Sequence, residues 1–315
     1  MKNNWYKTLV GLLGICFLLT WISPALAVEI GVAWAGKSGM TKRVVKGFEK
    51  GMAEKAPDIK IEYHRELDSM NSLAQLANKW DKEKDAMVLL RSNAAKWLAK
   101  TPPSIPTFIG GCNNPVQLGT VKNLDAPEGK ITGVTYFLPL DQQFDIFKGI
   151  IPEMKSVLLL LEKGHPSSPI DQKDTRAITQ KLGIEYHDAF CKSVDDLVSA
   201  VNRYKERVSA IIIGNAALVM DNTPAIVAAA GTTPVLSYSS KPVKMGALGG
   251  FAADDEKLGY MLAGSLVDVL KNHKAIKDEP VKVDPKPKFY LNAKTAEKIG
   301  IKIPYYIIEA ATVID

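Results

Sequence analysis

The sequence is poor in the residue types that build metal sites and nucleophilic active sites. It contains four histidines, His64, His165, His187 and His273, and no two of them have the spacing of metal ligands. No serine stands in the G-x-S-x-G setting of a hydrolase elbow. These absences argue against a metalloenzyme or a serine hydrolase, and we expect no cofactor and no catalytic residue.

Cysteine, net charge and low-complexity sequence are also scarce. Only Cys112 and Cys191 follow the N-terminal segment, which is too few for a disulfide framework, and we expect two separate, buried thiols. A formal net charge of +6, spread along 315 residues, is not the pattern of a nucleic-acid-binding protein. With 46% apolar and 23% charged residues, the composition is typical of a soluble globular protein of up to two domains.

The N-terminal segment has the pattern of a secretory signal. Lys2 and Lys7 make a basic start, residues 9–22 are apolar, and Ala25 and Ala27 are the small residues that signal peptidase reads. The apolar run is shorter than the roughly 20 residues that a membrane-spanning helix needs. Cleavage after Ala27 and a periplasmic location are therefore predicted.

The rest of the chain alternates apolar segments of strand length with amphipathic helices. Residues 157–161 are wholly apolar, as in a parallel strand that is buried on both faces, and residues 30–34 form a similar segment. We interpret these as the first strands of two successive α/β lobes. The alternation predicts parallel sheets joined by right-handed crossovers, with ligand-binding loops at the carboxyl ends of the strands.

Linker-like sequences near residues 241–244 and 278–287 indicate that the chain passes between the lobes more than once. Several crossings make a stiffer hinge than one. We therefore assign residues 1–27 to the signal peptide, 28–137 plus 243–284 to lobe 1, and 138–242 plus 285–315 to lobe 2.

Residues 31–38 match the nucleotide-binding spacing G-x-x-x-x-G-K-S. That motif needs a strand before its first glycine and a flexible loop between the two glycines, but residues 32–34 have the pattern of a strand. No apolar strand ends in the aspartate expected to bind magnesium. We therefore reject nucleotide hydrolysis and expect Lys37, Ser38 and the following helix N-terminus to bind an anionic or polar group.

Polar side chains and a few aromatic rings collect in the loops that follow the predicted strands. Such a set suits a small polar ligand, with Trp34 and Tyr238 as candidates for stacking and the amide and hydroxyl side chains for hydrogen bonding. The predicted ligand-binding residues are Trp34, Lys37, Ser38, Arg91, Ser92, Asn93, Asn113, Asn114, His165, Ser167, Ser168, Asn215, Tyr238 and Ser239.

Three motifs carry a family resemblance: I-T-G-V-T at 131–135 leading to Leu138-Pro139, G-A-L at 246–248, and N-A-K-T-A at 292–296 leading to G-I-K-I-P. With them the chain, from about residue 30 to its end, resembles the tryptophan/tyrosine-type substrate-binding proteins of ABC transporters. The resemblance implies the type I periplasmic binding protein fold, with two Rossmann-like lobes joined by a multi-strand hinge. It also implies that a ligand is trapped by hinge closure and presented to an ABC permease in the inner membrane.

Relatives in that family commonly hold amino acids and place acidic residues after two strands of the second lobe. This chain has Asn215 and Tyr238-Ser239-Ser240 at those positions. Such acids would pair with an α-amine, so their absence, with Lys37, Arg91 and His165 nearby, favours a neutral or anionic solute.

The predicted function is that of a periplasmic solute-binding protein of an ABC importer, acting as a monomer on an amino acid or another small polar or anionic solute. One alternative is a receptor of the same kind that feeds a membrane sensor kinase or chemoreceptor. A second alternative, of a different class, is an exported enzyme that uses His165.

Overall fold

The computed structural model describes residues 27–314. The predicted signal peptide, apart from Ala27, lies outside the described residues. Within residues 27–314, no helix combines the length and the apolar character that crossing a bilayer requires.

Five parallel strands form the sheet of the first lobe: β1 (Glu29–Ala35), β2 (Lys60–Leu67), β3 (Ala86–Leu90), β4 (Thr107–Gly110) and β5 (Ile131–Gly133). Their order across the sheet is β2-β1-β3-β4-β5. Every residue of β3 is buried, because helices cover both faces of a central parallel strand. The unit built on this sheet is called lobe 1.

Helices α1 (Gly39–Lys55), α2 (Met70–Glu83) and α3 (Ser92–Leu98) follow the first three strands. Ser38 and Ser69 begin the first two helices, since their hydroxyls accept hydrogen bonds from the N–H groups of Thr41 and Ser72. Because each helix starts directly after a strand, its N-terminus lies at the carboxyl edge of the sheet.

Lobe 1 also holds α10 (Asp255–Leu270), which packs against α1. The two helix backbones approach closely at a pair of glycines. A Cβ atom on Gly259 would lie 1.9 Å from the carbonyl oxygen of Val44, and one on Gly47 would lie 1.8 Å from that of Glu256. Only glycine fits at either position, and this contact fixes α1 against the rest of the lobe.

Seven strands form the sheet of lobe 2: β6 (Ser156–Glu162), β7 (Glu185–Cys191), β8 (Ala210–Ile213), β9 (Val235–Ser237), β10 (Gly249–Ala252), β11 (Lys288–Asn292) and β12 (Thr312–Ile314). Their order is β12-β11-β10-β9-β8-β6-β7, and only the β10–β11 pair is antiparallel among the described strands. The predicted apolar strand at residues 157–161 is the core of β6 and is fully buried. The two-lobe α/β architecture with parallel sheets is therefore confirmed.

The remaining helices surround the second sheet or lie in the connections: α4 (Leu140–Ile150), α5 (Ser168–Leu182), α6 (Val194–Tyr204), α7 (Ala217–Asp221), α8 (Thr223–Ala230), α9 (Ser240–Lys244), a 3₁₀ turn (Ile276–Asp278), α11 (Ala293–Lys298) and α12 (Tyr305–Ala310). Residues 217–230 form two helices, α7 and α8, instead of one. Two helices meet at Asn222, because Pro224 has no N–H to continue the first and instead suits the first turn of the second.

The chain passes between the lobes three times: after β5, between β10 and α10, and before β11. The first and third crossings run side by side, since Val134 forms a bridge with Lys282 and the N–H of Thr135 donates to its carbonyl oxygen at 3.0 Å. The second and third are joined by Asp284, whose carboxylate accepts from the N–H of Asp254 (2.8 Å) and from Lys257 (2.7 Å).

The position of β10 differs from the sequence-based assignment, which placed residues 243–284 in lobe 1. β10 pairs with β9 and β11 inside the second sheet, so the chain leaves lobe 2 only after Ala252. The Lys-Pro sequence near residue 242 was interpreted as a linker, but it forms the short helix α9.

Both cysteines are free and buried, as predicted. Cys112 follows β4 in lobe 1, and Cys191 ends β7 in lobe 2. Burial raises the pKa of the Cys112 thiol to about 12 and that of Cys191 to about 11, so both stay protonated near neutral pH.

Candidate functional site

A cleft of about 210 Å³ lies between the two lobes, at the carboxyl ends of their strands. Loops after β1, β3 and β4 approach it from lobe 1, and loops after β6, β8 and β9 approach it from lobe 2. This is the edge where parallel sheets present helix N-termini and strand-end loops. The predicted residues that line the cleft are Lys37, Ser38, Arg91, Ser92, Asn93, His165, Asn215, Tyr238 and Ser239.

The N-terminus of α1 forms one wall of the cleft. Ser38 uses its hydroxyl to cap the helix, with Thr41 N at 3.2 Å, while Lys37 stands directly before it. Gly39 and Met40 also line the cleft. Their N–H groups belong to the first turn of α1 and have no partner within the helix. Together with the positive end of the helix dipole, these groups favour a negatively charged ligand group.

Arg91 occupies the loop after β3 in a conformation that is unusual for a residue with a side chain, with φ at +84°. Its guanidinium donates a hydrogen bond to the carbonyl oxygen of Ala35 and lines the cleft. Gly36 makes room for it, since a Cβ atom there would lie 2.7 Å from Nη1. Backbone strain of this kind is tolerated where the surrounding structure holds a functional side chain in place.

The charged groups of the cleft are only partly paired. Arg43 bonds Asp255 at 2.8 Å, and Lys241 bonds Asp221 on the opposite lobe. Among residues 27–314, Lys37 and Arg91 have no carboxylate within salt-bridge distance. Burial lowers the pKa of Arg91, and the nearby carboxylate of Glu162 partly offsets that shift. The unpaired charge of the cleft is therefore positive.

His165 enters the cleft from the loop after β6. The N–H of Ser167 donates to its Nδ1 at 3.2 Å, which assigns the proton of the neutral ring to Nε2. Burial lowers the pKa of the imidazole. The negative charge of Glu162 raises this pKa, and the positive charge of Arg91 lowers it. The ring is therefore neutral near pH 7 and offers one hydrogen-bond donor.

Three predicted residues lie outside the cleft in other roles. Trp34 is 1% exposed and packs in the core of lobe 1, because it belongs to the buried strand β1. Asn114 closes a turn by accepting from the N–H of Val116 at 3.1 Å. Ser168, at the start of α5, donates to the carbonyl oxygen of Glu162 at 2.8 Å.

Ser167 and Asn113 connect the lobes. Ser167 is fully buried, with its hydroxyl 3.3 Å from that of Ser92 and 3.1 Å from that of Tyr136. Asn113 bonds Asp171 of α5 through its side-chain amide at 3.0 Å. Both residues therefore act at the junction behind the cleft.

A smaller space of about 20 Å³, called the inner chamber, adjoins the cleft. Tyr136, Asn215 and Tyr238 line both spaces, so they form the wall between them. The hydroxyl of Tyr238 is held by Thr175 at 2.7 Å. The residues of the inner chamber are Asn113, Tyr136, Phe137, Leu138, Leu140, Gln143, Asp171, Asp174, Asn215 and Tyr238.

Sequence reasoning missed Asp171, the buried acid of the inner chamber. Its Oδ1 accepts from the side-chain amides of Asn113 (3.0 Å) and Asn215 (3.1 Å), and its Oδ2 accepts from the N–H of Asn215 (2.7 Å). Burial raises the pKa of this carboxyl to about 6, although all three donors act to lower it. The residue was overlooked because it lies inside a helix, where an acid in the first turn is usually explained by the helix dipole.

Comparison with known proteins gives a family. A family model described as ABC transporter substrate binding protein matches residues 29–314. A curated tyrosine-binding protein from Clostridioides difficile (strain R20291) is 21% identical over 281 residues, covering 87% of this chain and 81% of the relative.

Solved structures support the same fold. An ABC domain in complex with L-Trp from Streptococcus pneumonia is 24% identical, with a TM-score of 0.80 over 91% of this chain and 99% of that one. A conserved domain protein from Vibrio cholerae is 22% identical, with a TM-score of 0.79 over 92% of this chain and 100% of that one. The ligand-free, open structure of a substrate-binding protein with adhesive properties from Clostridium difficile is 20% identical, with a TM-score of 0.76 and coverages of 91% and 99%.

Proposed function

Because the chain belongs to the ABC transporter substrate-binding protein family, we propose that it is an exported receptor that traps a small carboxylate-bearing solute for an ABC importer. One observation carries this proposal: strand-end loops of both lobes line a single cleft whose unpaired charge is positive. Capture and delivery are its role, without chemical conversion of the solute. His165 then acts as a hydrogen-bond donor to the bound molecule.

The carboxylate is proposed to bind at the N-terminus of α1. Lys37 supplies a positive charge there, and the N–H groups of Gly39 and Met40 supply donors that the helix itself does not use. Arg91 adds a second positive charge from the loop after β3. Hydrogen bonds from charged donors to a carboxylate are about twice as strong as neutral ones, which favours this wall as the anionic subsite.

Amino acids are the first candidates for the solute. One relative is named a tyrosine-binding protein, and another was solved in complex with L-Trp. Both of those ligands carry a carboxylate. This choice departs from the sequence-based hypothesis, which favoured a neutral or anionic solute because the acids that would pair with an α-amine are missing. The solute proposed here carries at least one carboxylate.

Hinge closure is the proposed mode of capture. A solute that contacts Lys37 in lobe 1 and Asn215 or Tyr238 in lobe 2 has more partners when the lobes are together. A ligand shifts a conformational equilibrium only by its difference in affinity between the states, and contacts from both lobes supply that difference. The three crossings beside Val134, Ala253 and Asp284 are the segments that would bend.

A thermal-shift screen of the purified exported protein tests the proposal. The panel consists of aromatic and aliphatic amino acids, short organic acids and purines. A carboxylate-bearing compound should raise the melting temperature, since a ligand at about 100 times its Kd stabilises the folded state by about 2.7 kcal/mol.

Matched lysine variants locate the carboxylate. Lys37→Met should weaken binding of the stabilising compound by about tenfold or more. Lys50→Met, at the other end of the same helix, should leave the affinity unchanged. If no compound of the panel binds, or if Lys37→Met and Arg91→Met both bind as tightly as the wild type, the proposed function is wrong.

A further inference from the structure

The outer edge of the second sheet is open at β7. This strand is the last in the sheet order, and among residues 27–314 it pairs with β6 on one side only. Its seven residues, from Glu185 to Cys191, keep one register with β6 and contain no bulge. A regular edge strand of this length can pair with a further strand, so natural proteins usually shorten, bend or cover such edges.

The backbone groups that point outward from β7 follow from its pairing with β6. The N–H of Glu185 donates to the residue before β6, and the carbonyl oxygen of Cys191 accepts from the residue after it. Neighbouring residues of a strand direct their backbone groups to opposite sides. The N–H and C=O groups of Tyr186, Asp188 and Phe190 therefore point away from β6, and none of them has a hydrogen-bond partner in the described part of the chain.

The other sheet edges are protected against strand addition. The register of β2 with β1 shifts between Ala33 and Ala35, and Glu66 near the end of β2 has a φ of +54°. The remaining edge strands, β5 and β12, have three residues each. Irregularity and short length are two of the ways in which proteins block an edge. Among the described strands, β7 is thus the edge that is long, regular and open.

A groove of about 490 Å³ runs along the open edge, between β7 and helix α6. Phe190, which is 41% exposed, lines it together with Tyr204 of α6. The ring of Tyr204 packs against that of His187, with 4.9 Å between the ring centroids. The groove and the cleft have no lining residue in common. The groove is therefore a separate surface of lobe 2, with aromatic rings beside open backbone groups.

The unpaired charge of the groove is positive. Lys163, Lys192 and Arg203, called the groove cations, line it and have no carboxylate within salt-bridge distance among residues 27–314. Both acids of the groove are engaged. Asp188 accepts from a side-chain amide of α5 at 2.8 Å, and Asp196 accepts from the N–H of Lys192 at 2.8 Å. Complementary charge selects a partner, so this groove favours an acidic one.

We propose that the β7 edge binds an extended, acidic segment of a partner protein, which joins the second sheet as an additional strand. Its backbone bonds to the outward groups of β7, its acidic side chains face the groove cations, and an apolar side chain covers Phe190. A second copy of this chain fits less well, because pairing two β7 edges brings the groove cations of both copies together. This interaction is independent of solute capture in the cleft.

Peptide binding to the mature protein tests the inference. The probes are fluorescein-labelled peptides: an acidic one of alternating glutamate and valine, the same peptide with lysine in place of glutamate, and the acidic peptide with its internal amides N-methylated. The acidic peptide should bind about tenfold or more tightly than either of the others in fluorescence anisotropy, since N-methylation removes the donors that strand addition requires. In the complex, hydrogen exchange should slow at the amides of Tyr186, Asp188 and Phe190.

Two variants of the edge locate the binding. Phe190→Pro removes an outward N–H, and proline is tolerated on an edge strand where that N–H faces solvent, so the variant should fold but lose the acidic peptide. The charge-reversed pair Lys192→Glu with Arg203→Glu should also lose it. Lys298→Glu with Lys302→Glu is the matched control, because these exposed lysines of lobe 2 lie outside the groove and the net charge changes equally.

A melting curve of each variant verifies folding, and the charge-reversed pair keeps the test decisive if Phe190→Pro does not fold. An acidic peptide that binds no more tightly than the lysine or N-methylated peptide would overturn the inference. So would wild-type affinity in the variants of the edge. A wild-type dimer that Phe190→Pro dissociates in analytical ultracentrifugation would assign the edge to a second copy, which also overturns the inference. None of these outcomes bears on solute binding in the cleft.

Discussion

The side-chain amide of Asn113 lies 3.0 Å from Oδ1 of Asp171 and joins the two lobes behind the cleft. Asn113 follows β4 of lobe 1, and Asp171 belongs to α5 of lobe 2. The same acid receives two further bonds from Asn215, so one carboxylate organises a loop from each lobe. The groups that hold the lobes together are therefore also the groups that shape the inner chamber.

Replacing Asn113 by alanine should weaken solute binding by about tenfold to a hundredfold. The variant loses a buried hydrogen bond to a carboxylate where the lobes meet, which contributes about 1.5–3 kcal/mol. It also loses the side-chain oxygen that accepts from the N–H of Asn114. Calorimetry measures the affinity, and small-angle scattering should show a larger radius of gyration for the ligand-free variant.

Asn123→Ala is the control for this variant. Asn123 accepts from the N–H of Asp125 in an exposed turn and makes no bond to the other lobe. The solute affinity and the scattering of the Asn123→Ala variant should match those of the wild type. Unchanged affinity and scattering in Asn113→Ala would show that the Asn113–Asp171 bond does not hold the lobes together.

The raised pKa of Asp171 predicts how stability depends on pH. A carboxyl whose pKa is about 6 in the folded state and near 3.8 when unfolded binds more proton in the folded state between these values. Its contribution to the free energy of unfolding is therefore present at low pH and is lost as the pH rises toward 6. From pH 4.5 to 7 the loss should be about 2 kcal/mol.

Comparison with Asp171→Asn isolates this contribution. Burial also raises the pKa of Asp255 to about 6. Asp255 titrates in both proteins, so its contribution to the free energy of unfolding cancels in the difference, as do those of all other groups. Denaturant unfolding at a series of pH values should show the wild type losing stability relative to the variant as the pH rises. A difference that stays constant across this range would contradict the raised pKa.

The sequence predicted most of the fold because the informative patterns are local. The apolar segment 157–161 depends on a few neighbouring residues, and it forms a buried strand, as predicted. The residue where the chain leaves lobe 2 depends on which strands pair with β10, which local sequence does not reveal.

The candidate site was predicted less completely, for a physical reason. Strand-end position identified Lys37 and Arg91, but it could not separate side chains that point into the cleft from those that point into a core, as for Trp34. Asp171 and Gln143 lie in helices and become part of a site only when two lobes meet. Such residues require the tertiary structure.

Replacing Gly36 by alanine should weaken binding of a carboxylate-bearing solute by about tenfold. The new Cβ atom would lie 2.7 Å from Nη1 of Arg91 and would displace the guanidinium from the cleft wall. Gly129→Ala is a matched control, since its φ of +78° is close to the +73° of Gly36 and no atom lies within 4 Å of its Cβ position. Both variants should lose about 1 kcal/mol of stability, but only Gly36→Ala should lose affinity in calorimetry. Equal affinities for the two would show that Arg91 does not contact the solute.

Replacing Gly259 by alanine should destabilise the protein by about 3 kcal/mol or more. Its Cβ atom would lie 1.9 Å from the carbonyl oxygen of Val44, a backbone atom that cannot move without separating α10 from α1. Gly264→Ala, in the same helix with no atom within 4 Å of its Cβ position, should instead gain up to about 1 kcal/mol from helix propensity. Urea unfolding of the two variants measures the contrast. Because α1 carries Lys37 at its N-terminus, Gly259→Ala should also bind the solute more weakly at temperatures where it remains folded. If the two variants are equally stable, the close approach of α1 and α10 is not what fixes the cleft wall.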